Sequence, residues 1–253
     1  MSGPLSVKRV VCVMASVSRG DGQLDAAADV AAAFQARLDG LLVEDTDLLQ
    51  VAGLPFAREV AMASAAFLAL DVPRVERLLR LRARQAAQSL LRAGRRWDIS
   101  ADLRIVRGPW QREVPGAGGA GDVLALERGA AGSRSWTALQ TTLSASACAG
   151  VMWGGWREPP RALALLHGPG GPGWRALQAA ARLAQAWRLP LTVYTTGLAP
   201  AEHTILEEVA VTVAPVERLP CSRGPLLVAP GEGVDSARLR RLLACAGSVL
   251  LIH

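Results

Sequence analysis

The 253-residue sequence predicts an α/β fold of two tandem, parallel five-stranded sheets flanked by helices. Three observations predict it. The chain opens strand, helix, strand with short connections, the βαβ unit of a parallel sheet. Near the middle, Glu158-Pro159-Pro160 breaks any regular element, because proline removes an amide donor and fixes φ. The opening pattern then returns: Arg9-Val-Val-Cys-Val-Met-Ala-Ser aligns with Arg161-Ala-Leu-Ala-Leu-Leu-His-Gly, each ahead of a glycine-bearing turn and an alanine-rich helix.

In the first half, Val10–Met14 is a short apolar, β-branched run that reads as a buried strand. Leu24–Leu38 places its apolar residues on one helical face, and Asp39-Gly40 is its expected stop. Leu41–Val43 is the second strand, and residues 44–60 read as irregular. Arg74–Ala93 is an amphipathic helix, with Val75, Leu78, Leu79, Ala83, Ala86, Leu90 and Leu91 expected on one apolar face and Gly94 as its stop. Ile99–Val106, Asp122–Leu126 and Val151–Trp153 complete the five strands, with a helix over Ser133–Ala147.

In the second half, strands are expected at Ala162–Leu166, Leu191–Thr195, Val209–Val213, Leu226–Val228 and Val249–Ile252. Helices are expected at Trp174–Trp187 and Ser236–Ala244, one fewer than in the first half. The two domains are expected at residues 1–157 and 158–253.

Composition bounds the function. Hydrophobic residues make up 51% and charged residues 20%, enough apolar material for packed cores. No apolar run reaches the roughly 18–20 residues needed to cross a bilayer, and residues 1–8 do not follow a secretory-signal pattern. A cytoplasmic protein with no membrane partner is therefore expected. Cys12, Cys148, Cys221 and Cys245 form no C-x-x-C pair and are not spaced with His167, His203 or His253 as zinc ligands, so they read as free thiols.

The net charge of +6 raises an anionic partner. Nearly all the basic residues are arginine, as in a GC-rich coding sequence, and the seven tryptophans do not interleave with them, which argues against nucleic acid. The arginines of segment 74–96 read as a solvated helix face before they read as a binding surface. Glu44, Asp45 and Asp47 lie where open α/β sheets bind ligands, but an ordinary charged loop explains them. Gly168, Gly170 and Gly173 keep a G-x-G-x-x-G spacing, which Pro169 and Pro172 spoil by removing donors.

This order of elements, twice over, resembles tandem universal stress protein domains, and Val43–Val60 is similar to the stretch after the second strand in some tandem members. The resemblance implies a small-ligand site, with an adenine nucleotide such as ATP as the expected cofactor. Nucleotide-binding members carry an acid at the end of the first strand, where this chain has Ala15 and, in the second half, His167 followed by Gly168. They also carry a glycine motif after the fourth strand whose amides cradle phosphates. Gly129-Ala-Ala-Gly132, followed by Ser133, matches its opening, but Thr142-Leu143 stands where the closing Gly-Ser pair belongs. The resemblance thus implies cofactor-binding candidates Ala15, Val43, Gly129, Gly132, Ser133, Thr142, His167 and Gly168, with no catalytic or metal residue.

The expected function is that of a non-enzymatic, universal-stress-type regulatory protein acting in stress response and binding a small ligand or a partner. The alternatives are a ligand-free dimerising scaffold and, third, a nucleotide hydrolase. A homo-oligomer is expected, with Val249–Ile252 as a free edge for a homodimer.

Overall fold

The computed structural model describes residues 5–14, 22–44, 46–61, 66–127, 142, 144–156, 158–168, 170–207, 209–219, 225–231 and 247–253. Ten strands form one sheet. The first half contributes β1 (Arg9–Met14), β2 (Arg37–Glu44), β5 (Ala101–Arg107), β6 (Asp122–Leu126) and β7 (Gly150–Trp153). The second contributes β8 (Leu163–Leu166), β9 (Leu191–Thr195), β10 (Val211–Pro215), β11 (Leu226–Pro230) and β12 (Ser248–Ile252). A separate hairpin pairs β3 (Arg58–Ala61) with β4 (Ala66–Ala69).

The order across the sheet is β10-β9-β8-β11-β12-β7-β6-β1-β2-β5. Within each half the spatial order is third, second, first, fourth, fifth, and every pairing is parallel. The internal repeat is thus a repeat of topology. The halves join through β7 and β12, the one antiparallel pairing of this sheet, with Met152 opposite Leu250 and Gly150 opposite Ile252. That seam corrects one expectation: Val249–Ile252 is not a free edge, because its pairing groups are taken up inside the chain.

Period-2 alternation explains why the strands read as continuous apolar runs. Val10, Cys12, Leu163, Leu165 and Leu250 enter the core on one face, and Val11, Val13, Ala164, Leu166 and Leu251 the core on the other. The first face is covered by α1 (Gly22–Phe34), α3 (Val72–Trp97) and α5 (Gly170–Trp187). The short α2 (Thr46–Ala52) packs on α3 through Ala52, Val75 and Leu79, and α4 (Trp110–Glu113) precedes buried Val114 on the opposite face. Helix α6 (Pro200–Leu206) joins β9 to β10.

Several boundaries differ from expectation, each for a local reason. Helix α1 ends at Phe34 because Gln35 turns left-handed (φ 56°), a stop that no glycine announces. Asp39 and Gly40 lie inside β2, where Gly40 lets Leu90 of α3 and Leu103 of β5 approach within 3.1 Å of where a Cβ would sit. Gly94 does not stop α3: a Cβ there would lie 2.8 Å from that of Ala101, so glycine permits close packing on β5. The helix instead runs from an Asp71 cap, whose carboxylate accepts from the Arg74 amide at 2.7 Å, to left-handed Asp98. Of Gly168–Gly173, expected as a turn, Gly170–Gly173 form the first turn of α5, where Pro172 costs no helical bond. Residues 44–60 contain α2 and the start of β3, and α6 supplies a helix not expected in the second half. The expected helices over 133–147 and 236–244 lie outside the described residues except for Thr142 and 144–147, of which Thr142, Ser144 and Ala145 are helical.

Beyond the seam, Trp156 meets Trp187 of α5 edge to face at 5.7 Å, and its indole N–H donates to Asp29 Oδ2 at 2.8 Å. Burial pushes the Asp29 carboxyl up despite that bond. A raised folded value favours the protonated acid, so this contribution is lost as pH rises through it. Asp29→Asn keeps the acceptor without the charge. It is expected to stabilise the protein at pH 7, with the gain shrinking as the pH falls towards 4, measured by urea denaturation across that range.

Candidate functional site

In an open α/β sheet, ligands bind outside the carboxyl ends of the strands where the order reverses. Each half has one such point, between β1 and β6 and between β8 and β11. Because the seam is antiparallel, the two clefts open at opposite edges of the sheet. The candidate residues therefore divide: Val43 belongs to the first cleft, and His167 and Gly168 to the second.

In the first cleft the β1–β6 ladder stops at Cys12 opposite Ala125. Beyond it, the Gln23 side-chain amide donates to the Ala125 carbonyl at 2.7 Å and the Val13 carbonyl at 3.4 Å, bridging the two strands from the first turn of α1. That turn is held close by Gly155, where a Cβ would meet the Gln23 backbone at 2.4 Å, and by the Trp156 amide, which donates to the Gly22 carbonyl at 3.0 Å. Glu127 follows β6 at this edge, and burial raises its carboxyl pKa. The buried Cys12 thiol is pushed up to about 12, chiefly by desolvation and further by Glu127, so it is no nucleophile at neutral pH.

Gln23 and Glu127 were not legible as site residues. Only the pairing of β1 with β6 brings position 23 to position 125. Val43 is half-buried, pairs with Val106 and packs on the second core. Thr142 is buried, and its carbonyl accepts from both the amide and the hydroxyl of Ser146. Ala15, Gly129, Gly132 and Ser133 lie outside the described residues. Of the acidic trio, Glu44 is no loop residue: it ends β2, is buried, and its Oε2 accepts from Arg107 at 2.7 Å.

In the second cleft, His167 follows β8 with both ring nitrogens engaged. Nδ1 lies 3.1 Å from the Thr195 hydroxyl and Nε2 2.9 Å from Glu202 Oε1. All three residues are buried. The Thr195 hydroxyl donates to the Gly197 carbonyl at 2.6 Å, and the other Glu202 oxygen accepts from the Ala199 amide at 2.6 Å, at the start of α6. The imidazole thus ties the ends of β8 and β9 to α6, on the side away from β11. This is a clamp that sequence spacing did not reveal, since its hydroxyl and carboxylate stand 28 and 35 residues away.

Gly168 lies beside Pro230, the last residue of β11. The His253 ring covers Gly231, 3.0 Å from where a Cβ would sit, and Arg175 of α5 donates to the His253 carbonyl. His167→Ala leaves buried Thr195 and Glu202 short of a partner. It is expected to cost about 1–3 kcal/mol, read by chemical denaturation, without changing ligand binding at the opposite edge.

A cavity of about 290 Å³ opens elsewhere, lined by Leu5, Phe34, Gln178, Arg182, Ile205 and Val209. Its arginine donates to the Ala33 carbonyl at 3.1 Å and stacks on Phe34, so it serves the packing of α5 against the end of α1 rather than either cleft. Among the described residues no group of three His, Cys, Asp or Glu side chains is placed to hold a metal, Cys12 and Cys148 are free thiols, and no helix is long and apolar enough to cross a membrane.

No protein-family model matches the sequence, and no curated protein matches it. Solved structures do match in fold. A universal stress protein from Archaeoglobus fulgidus DSM 4304 superposes with a TM-score of 0.63 at 12% identity, covering 98% of this chain and 97% of its own. A candidate universal stress protein from Pseudomonas aeruginosa UCBPP-PA14 gives 0.56 at 14% identity, covering 98% and 94%. A protein of unknown function from Pseudomonas aeruginosa PAO1 gives 0.54 at 14% identity, covering 98% and 93%. At these identities the shared property is the architecture, and the coverage extends it through both halves: this chain has the universal stress protein fold.

Proposed function

We propose that this is a universal-stress-type regulatory protein that binds a small ligand in the cleft of its first half and does not transform it. The observation that carries this reading is the asymmetry between the clefts. In the second, His167 is occupied on both nitrogens and Gly231 lies under His253. In the first, Gln23 and Glu127 stand at the edge, and in the sequence Gly129-Ala-Ala-Gly132 begins two residues after Glu127. Glycine-rich turns at such edges offer amides to phosphates, which makes an adenine nucleotide the first ligand to test. A binding role is favoured over hydrolysis because the buried Cys12 thiol at the end of the β1–β6 ladder is held protonated by desolvation and offers no nucleophile to the first cleft. A cytoplasmic location and a part in stress response belong to the same reading.

A specific observation favours the scaffold as the second reading: the Gln23 amide already bridges the carbonyls at the mouth of the first crevice. Self-association would then have to use surfaces other than the β7–β12 seam.

Thermal unfolding with ATP, ADP, AMP and cyclic nucleotides, with and without magnesium, separates the two. Binding to the folded state adds RT ln(1 + [L]/Kd), about 2.7 kcal/mol at a hundredfold excess over Kd. A rise of several degrees with one nucleotide, abolished by Gly132→Asp and without phosphate release, is the expected result. No rise with any nucleotide at millimolar concentration, with a melting temperature that depends on protein concentration, leaves the scaffold.

A further inference from the structure

The basic excess of this protein resides on one helix. Helix α3 carries eight arginines and a single glutamate, a net charge of +7 over 26 residues. The whole chain has 28 basic and 22 acidic residues, so the other 227 carry 20 and 21 and sum to −1. A genome-wide preference for arginine would spread the charge. Here it is placed.

It is also placed outward. Helix α3 buries Leu90 and Ala93 in the core beneath the sheet and α1, and Val75 and Leu79 against α2; Leu78 and Leu91, expected on this face from the sequence, are exposed. On the opposite face Arg77, Leu81, Arg84, Gln88, Leu91 and Arg95 recur at helical spacing, all exposed. Over 26 residues that face is about 39 Å long. Among the described residues, Arg77, Arg82, Arg84, Arg92 and Arg95 form no ion pair; Arg80 meets Glu76 and Arg96 meets Asp25, each at 3.8 Å.

The arginines are interleaved with apolar side chains that water does not favour. Leu81 is 52% and Leu91 51% exposed. We infer that this face docks on an anionic lipid surface. Guanidinium groups take headgroup phosphates while their stems and the leucines enter the acyl boundary. A nucleic acid backbone satisfies the arginines but leaves the apolar side chains against phosphate. An interfacial helix needs no spanning segment, so the absence of a crossing helix bears on a different question. The inference is independent of the proposed ligand, which would bind at the strand ends.

The test is cosedimentation of the full chain with vesicles of phosphatidylglycerol and phosphatidylcholine, against phosphatidylcholine alone, with a duplex DNA competitor. Binding to the anionic vesicles only, released by high salt, is expected. Arg77→Gln, Arg84→Gln and Arg95→Gln together should weaken it about 100-fold, at roughly a kilocalorie per cation, with an unchanged melting temperature. Leu81→Ser with Leu91→Ser should weaken it further at constant charge. Failure to bind anionic vesicles, equal binding by the triple variant, indifference to the leucine changes, or release by equimolar DNA each overturns the inference.

Discussion

Leu250→Asp is expected to cost about 4–5 kcal/mol or more, near the upper end of single-residue effects. Leu250 is fully buried, pairs with Met152 across the antiparallel seam and faces the core shared by α1 and α5. A carboxylate there loses its hydration and finds no cation; protonation relieves the charge but leaves a polar group in an apolar layer. At roughly 2–4 °C per kcal/mol for a chain of about this size, the midpoint should fall by about 10 °C or more. Val213→Asp is the control. Val213 is 55% exposed on edge strand β10, so the same change should stay within about 0.5 kcal/mol. The shape of the transition is equally informative. One cooperative step means that the seam makes the halves a single folding unit. Two steps, with only the second half lowered, mean that each five-stranded half stands alone.

Gly173→Ala is expected to cost about 3 kcal/mol or more, at or above the upper end of the range typical of overpacking. A Cβ at Gly173 would lie 1.7 Å from the Gly168 carbonyl oxygen and 2.7 Å from its carbon. Both are backbone atoms, so no rotamer change relieves the clash. The turn from β8 into α5 must open, and Gly168 and His167 move with it. Gly116→Ala is the counterpart, because a Cβ there meets nothing within 4 Å. That change should be neutral or stabilising by about 0.4–1 kcal/mol, through the unfolded chain. Urea denaturation of the two variants against the parent gives the difference directly.

The pair also shows how one residue type carries opposite messages. From sequence, Gly94 and Gly40 read as helix stops, yet each permits an approach between elements distant in the chain. Gln35 and Asp98 are true left-handed ends of helices without being glycine. Glycine marks freedom, and only the neighbours decide whether it serves a turn or a close contact.

The site was less legible than the fold. His167 and Gly168 were placed at a strand end by the repeat, and they are there. What His167 does depends on Thr195 and Glu202, joined to it through the β8–β9 pairing and a seven-residue helix with little periodicity to announce it. Gln23 likewise reaches the Ala125 carbonyl, two residues before Glu127, only because β6 lies beside β1. Arg74 to Arg96 were visible as a basic helix. Their significance followed once the helix was seen to extend to Trp97, with its arginines facing solvent and Leu81 and Leu91 among them.

Local sequence by itself determined the parallel strands, the major helices, the break at Pro159-Pro160 and the repetition of one half by the other. Each of these follows from apolar periodicity, proline chemistry or short-range order along the chain. The tertiary structure alone decided the fusion of the halves through β7 and β12, the opposite-facing clefts and the closing of His167 between Thr195 and Glu202. Those depend on which strand lies beside which, a choice made by burying two apolar faces at once, and no window of sequence contains both partners.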